Sequence, residues 1–304
     1  MSTAILLMSY GSPEREGEVE AYYTHIRRGR PPTPEQLADL QRRYDAIGGL
    51  SPLAERTRSQ AAGVQAALDA IDPTEFRVFT ASKHAAPFLE EGVRAVAAAG
   101  ITEMVAMVLA PHYSVLSVGE YLERVEETAA ALGMTVHPVR SWHLEPELVE
   151  LLAARLEDAV RSTGVPAADT QVLVTAHSLP SRVLDMGDPY PDQLRETAEA
   201  VTAAAGVARW KVAWQSAGRT PEPWLGPDVL ESIETAAAEG ARAVVICPAG
   251  FTSDHLEVLY DLDIEARAKA DRLGLAFART ESLNDDPAFC HMVAQVTAGA
   301  SGRL

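Results

Sequence analysis

At 304 residues the chain is long enough for two domains with separate cores. It is 47% hydrophobic, which excludes disorder, and no apolar run approaches the roughly 18 residues a membrane-spanning helix needs. A net charge of −17 argues against nucleic acid as a partner, because that affinity comes from neutralising phosphates.

The first predicted strand, 3–9, is the run Ala4-Ile5-Leu6-Leu7-Met8, and it ends at Ser9-Tyr10-Gly11. An insertion of about residues 14–72 follows. It carries Arg27, Arg28 and Arg30 after Tyr22 and Tyr23, then Arg42-Arg43-Tyr44, then Gly48-Gly49-Leu50-Ser51-Pro52. Guanidinium forks match carboxylates and stack on aromatic rings. The cluster therefore fits either a site for a flat ligand bearing carboxylates or a solvated helix face. Beyond it, strands at 75–82, 103–109 and 134–139 alternate with helices at 87–99 and 117–132.

A helix at 144–162 and the turn Gly164-Val165-Pro166 lead into a second set. Strands at 171–176, 209–214, 243–248 and 275–279 alternate there with helices at 189–204, 227–239 and 254–272, and a helix at 286–299 closes the chain. Such alternation makes parallel sheets with right-handed crossovers. The expected architecture is α/β, with two similar Rossmann-like domains of four parallel strands each. The first spans 1–143 with its helical insert. The second spans 144–285, and the helix of 286–304 packs back on the body.

The two halves also resemble each other in detail. Val108-Leu109-Ala110-Pro111-His112 parallels Val245-Ile246-Cys247-Pro248-Ala249, and Glu120 and Glu257 each follow the proline by the same interval. The run ending at Tyr10 likewise parallels Gln171 to Pro180, with His177 in the tyrosine's place. Ligands of open α/β sheets bind beyond the carboxyl ends of the strands. An imidazole there can bind metal or exchange a proton near neutral pH.

Asp254, Glu257, Asp261 and Glu265 recur at spacings that place four carboxylates on one helical face. Like charges so arranged call for open solvent or for a cation, and hard divalent cations prefer oxygen ligands. Glu257 lies in the first turn after a strand, on the sheet edge that carries His177. No Gly-x-Gly-x-x-Gly follows the first strand, and neither a Walker A sequence nor a Gly-x-Ser-x-Gly elbow occurs, so nucleotide cofactors lack support. Cys247 and Cys290 are the two cysteines. They suit a reducing cytoplasm and are too few for an iron–sulfur cluster. With no signal-peptide pattern at the N-terminus, a cytoplasmic protein is expected.

Ala-His-Ser-Leu-Pro (176–180), Gly-Asp-Pro-Tyr-Pro-Asp-Gln-Leu (187–194), Trp-Gln-Ser (214–216), Pro-Trp-Leu-Gly-Pro-Asp (223–228) and Asp-His-Leu-Glu-Val-Leu-Tyr-Asp (254–261) resemble the motifs of ferrochelatases. The likeness runs from Leu6 to about Pro287. It implies a chelatase fold with a porphyrin cleft between the domains and insertion of Fe(II) with loss of two pyrrole protons. His177 and Glu257 match the catalytic pair. Asp261 and Glu265 match an outer metal-binding ridge that would hold a divalent cation.

Tyr10 and the Tyr-Tyr-Thr-His-Ile-Arg-Arg-Gly-Arg segment (22–30) resemble the coproporphyrin-type members, which implies Tyr10 as axial ligand of the product iron. Arg27, Arg43, Tyr44, Ser51 and Tyr121 match porphyrin-contacting positions. The expectation is therefore iron insertion into coproporphyrin III by a monomer, in heme biosynthesis. No cofactor is implied beyond the substrate Fe(II), no [2Fe-2S] centre, no membrane span, and a transient handover of product to a downstream coproheme-processing enzyme. The alternatives are a protoporphyrin IX ferrochelatase, a sirohydrochlorin cobalt or nickel chelatase, and a haem-binding carrier without catalysis.

Overall fold

The structure, a computed structural model, describes residues 2–218 and 220–302. In chain order the first half contains β1 (Thr3–Ser9), α1 (Val19–Ile26), α2 (Pro34–Ala46), α3 (Leu53–Ile71), β2 (Phe76–Ser82), α4 (Leu89–Ala98), β3 (Glu103–Val108), α5 (Val118–Ala131) and β4 (Thr135–Val139). After α6 (Pro146–Ser162) come β5 (Thr170–His177), α7 (Arg182–Asp185), α8 (Tyr190–Ala204), β6 (Trp210–Gln215), α9 (Val229–Ala238) and β7 (Ala243–Cys247). A π-helix (Glu257–Ala266), α10 (Arg267–Arg272), β8 (Ala276–Arg279) and α11 (Pro287–Ala300) complete the chain.

The strands form two sheets with orders β2-β1-β3-β4 and β6-β5-β7-β8, every pairing parallel. The duplication read from the sequence is thus a duplication of topology. β1 and β5 hold the same place beside the order reversal in their sheets, so Tyr10 and His177 leave equivalent strand ends. Each strand ends within a residue or two of its predicted limits, and β5 includes His177 as its last residue.

Both central strands are covered on two faces, which is why they read as continuous apolar runs. Ile5, Leu7, Val105 and Met107 point into one core, while Ala4, Leu6 and Met8 point into another. Val172, Val174 and Ala176 join the same core as Ile5 and Leu7, whereas Leu173 faces a third. One continuous core therefore runs between the sheets. A fully buried Leu or Ile contributes about 1.5–3 kcal/mol, so the strand ends that carry Tyr10 and His177 stand on the best-anchored part of the fold.

α6 packs on α8, β7 and β8, and α11 returns to α3, β4 and β3 of the first half. The insert's α3 packs on α11, and its Gln60 amide donates to the carbonyls of Thr252 and Asn284, in the loops after β7 and β8, at 3.3 and 2.9 Å. Among the described residues, no helix is long and apolar enough to cross a membrane.

Candidate active site

His177 stands half-buried at the end of β5 with both ring nitrogens engaged. Nδ1 lies against the carbonyl of Ser178, which can only accept, so this nitrogen carries the proton. Nε2 is thereby directed at Glu257, 3.4 Å from Oε1. Burial alone would lower the imidazole pKa, but the Glu257 charge and hydrogen bond outweigh it and raise it to about 9. Burial likewise opposes ionisation of Glu257, and the same histidine together with His255 overcomes that and holds the carboxyl far below its ordinary value. At neutral pH the pair therefore shares one proton as an imidazolium facing a carboxylate.

His255 approaches the other carboxylate oxygen at 3.6 Å, and its Nδ1 is fixed on the carbonyl of Ser253. It escapes a reading based on strand ends, although its place two residues before Glu257 is the available signal. Tyr190 escapes it too. Its hydroxyl donates to the carbonyl of His177 at 2.9 Å from a ring that is 7% exposed.

The helix after β7 differs from the regular α-helix expected over 254–272. Residues 257–266 wind as a π-helix, a rare form that is frequent at functional sites. Glu257, Asp261 and Glu265 remain coupled along it. Burial and the charges of Glu257 and Glu265 raise the Asp261 carboxyl to about 6, against the opposing pull of Ser216 and Arg43. Ser216 donates to one oxygen of Asp261 at 2.5 Å, and Arg43 of the insert approaches the other at 3.5 Å while stacking over Tyr260. Ser216 does this from a left-handed backbone (φ 59°), a strain retained here beside the site.

Asp254 does not belong to this stripe. It accepts from Ser282 Oγ and Asn284 Nδ2 and faces Arg279, so it ties the loop after β7 to the loop after β8. The contacts that claim it come from another part of the chain, which spacing along one helix cannot register.

Tyr10, 43% exposed, leaves the matching end of β1, with its ring 4.6 Å from that of His84. The surroundings of its hydroxyl and the charges of Glu257 and Glu120 push the phenol well above its ordinary value. Tyr44 on α2 is likewise pushed above its ordinary value by burial and by the Glu257 charge. Gly11 follows at φ 86°, where a Cβ would strike Ser82 at 2.8 Å, so the turn beyond Tyr10 requires glycine.

The remaining predicted positions are more dispersed. Tyr121 is buried on α5 beneath Lys83, whose Nζ is 5.0 Å from its ring centroid. Ser51 is buried, and its hydroxyl accepts from the Leu53 backbone at the start of α3. Arg27 caps α1, bonded to the Arg30 carbonyl and set over Tyr23. Beside Tyr10 a cavity of about 480 Å³ is lined by His25, Arg28, Lys83, His84, Glu120 and Arg124, among others. Glu120, the counterpart of Glu257, is paired with Lys83 at 2.5 Å and so does not reproduce the second half's chemistry.

Comparison with known proteins finds likenesses in sequence and in fold. A family model described as Ferrochelatase matches residues 2–300. The coproporphyrin III ferrochelatase of Anoxybacillus flavithermus is 47% identical over 96% of this chain and 94% of its own. That of Bacillus subtilis is 44% identical over 98% of both. Among solved structures, SirB from Bacillus subtilis with Fe3+ superposes with a TM-score of 0.61 at 15% identity, covering 100% of this chain and 98% of its own, a likeness of fold alone.

Proposed function

The chain belongs to the ferrochelatase family, and on that premise we propose that it inserts Fe(II) into coproporphyrin III through His177 and Glu257. The observation that carries the reading is the imidazole–carboxylate pair at the end of β5, 3.4 Å apart, set at the strand end equivalent to the one that carries Tyr10. The relatives' names supply the tetrapyrrole, and the arginine-bearing insert is consistent with its four carboxylates.

Insertion exchanges two pyrrole protons for one Fe(II). The resting pair holds one proton, so arrival of the metal at Nε2 and the Glu257 carboxylate expels it. When iron passes to the ring nitrogens the freed pair takes a pyrrole proton back, acting as general base. The coupled pair titrates as a unit, with Nδ1 anchored on Ser178 throughout. Asp261, its carboxyl raised to about 6, is the next acceptor outward on the same helix. With Glu265 it would form the outer cation ridge along which Fe(II) approaches. Tyr10, at the matching strand end of the other half, would ligate the product iron. Tyr44, Tyr121, Arg43, Ser51 and Arg27 would contact the porphyrin or its carboxylates.

The test is an anaerobic Fe(II) insertion assay with coproporphyrin III and protoporphyrin IX side by side. The coproporphyrin product is expected to form faster. Faster turnover of protoporphyrin IX would overturn the substrate, and no insertion with either would overturn the activity.

A further inference from the structure

Resting on that reading of His177, we propose that Tyr190 is a positioning residue for the imidazole, and that Asp188 sets its position against the opposite half of the molecule. The peptide group between His177 and Ser178 is clamped at both ends. Its carbonyl accepts from Tyr190 Oη at 2.9 Å, and its N–H donates to the carbonyl of Gln215 at 2.7 Å. The next carbonyl, that of Ser178, receives Nδ1–H of His177, and the Ser178 hydroxyl donates to the carbonyl of Leu225 at 2.9 Å. The direction of Nε2 therefore follows the plane of this peptide, which joins the His177 Cα to the residue whose carbonyl receives Nδ1–H. Gln215 holds that plane through a main-chain bond of the sheet. Tyr190 holds it through a side chain that enters from outside the sheet.

That side chain is itself buried and packed. The ring packs 5.5 Å from Trp214 and edge-on to His112 at 6.2 Å. Its own backbone N–H donates to Asp188 Oδ1 at 3.0 Å. The other carboxylate oxygen, Oδ2, accepts from the hydroxyl of Ser114 and the N–H of Val115 in the first half, at 2.9 and 2.8 Å. Ser114 and Val115 lead directly into α5, which carries Tyr121. A series of hydrogen bonds thus joins the first half, through Asp188 and Tyr190, to the main-chain carbonyl of the residue that carries the imidazole. A metal handed between an imidazole on one half and a ring held by the other needs that relation fixed, since displacements near 1 Å cost about 100-fold in rate.

Tyr190→Phe keeps the ring and removes the hydroxyl. In the Fe(II) insertion assay its kcat is expected to fall about 10- to 100-fold while KM for coproporphyrin III changes by less than about twofold. Asp188→Ala is expected to lower kcat in the same direction. Thr297→Val serves as the matched control, because it deletes a buried hydroxyl bonded within α11, far from the pair in the chain. It is expected to lose thermal stability without that change in kcat. A kcat for Tyr190→Phe within about twofold of the parent, or a fall no greater than that of Thr297→Val at equal loss of melting temperature, overturns the positioning role. His177→Ala separates the two claims. If it is inactive while Tyr190→Phe is unimpaired, positioning alone fails; a full rate in His177→Ala overturns the reading of the site beneath it.

Discussion

Replacing Glu257 by Gln removes the charge that His177 faces while keeping the shape of the side chain. At 3.4 Å and an effective dielectric of about 20, Coulomb's law gives about 5 kcal/mol for the pair. About a third of each side chain is open to water, 34% and 36%, and screening reduces the coupling to about 2 kcal/mol. At about 1.4 kcal/mol per pKa unit that is a drop of about 1.5, from about 9 in the parent to about 7.5. The assay is an NMR titration of the His177 Cε1–Hε1 resonance in metal-free protein.

The sign extends to stability. A histidine whose pKa is raised by folding contributes fully below its unfolded value of 6.5 and loses that contribution as pH rises through about 9. The variant's stability deficit should therefore be largest near pH 6 and shrink above about 9. A midpoint that moves by less than about 0.5, or a deficit independent of pH, would refute the electrostatic origin of the pair.

Asp254→Ala should cost about 2–3 kcal/mol of stability by stranding its partners Ser282, Asn284 and Arg279. It should leave the insertion rate per folded molecule unchanged, and a rate loss without a fall in melting temperature would return Asp254 to the functional stripe. His112, 2% exposed with Nδ1 unbonded, is held by burial at a pKa of about 3. The unfolded chain takes up that proton first, so this residue's contribution is complete above pH 6.5 and is lost as pH falls toward 3. Relative to His112→Gln, the parent should lose up to about 1.4 kcal/mol per pH unit below 6.5 in urea unfolding; parallel pH profiles would contradict this.

The sheets are legible in the sequence because each central strand is buried on both faces, and runs such as Val172-Leu173-Val174 show it directly. The match of Tyr10 with His177 is legible for a related reason, since duplicated βα units repeat their order. Glu257 follows from its place in the first turn of the helix that comes after β7. What the sequence conceals depends on distant contacts or on subtle winding. Residues 257–266 carry no composition that separates a π-helix from an α-helix. The partners that claim Asp254 lie 28 and 30 residues on. Tyr190 reaches the His177 carbonyl only because α8 folds back over β5, and His255 differs from any loop histidine only once Glu257 is seen between it and His177. The three helices of the insert are a regular outcome of residues 19–71, but the docking of α3 on α11 joins the insert to the last helix, more than two hundred residues on, and has no local signature.

If His177 carries the iron step, the decisive measurement is the anaerobic rate of Fe(II) insertion into coproporphyrin III by His177→Ala, with folding verified by circular dichroism. A loss of about 100-fold or more is expected, as for removal of a positioned base that also receives the metal. A folded variant that inserts iron at the parent's rate would contradict that role.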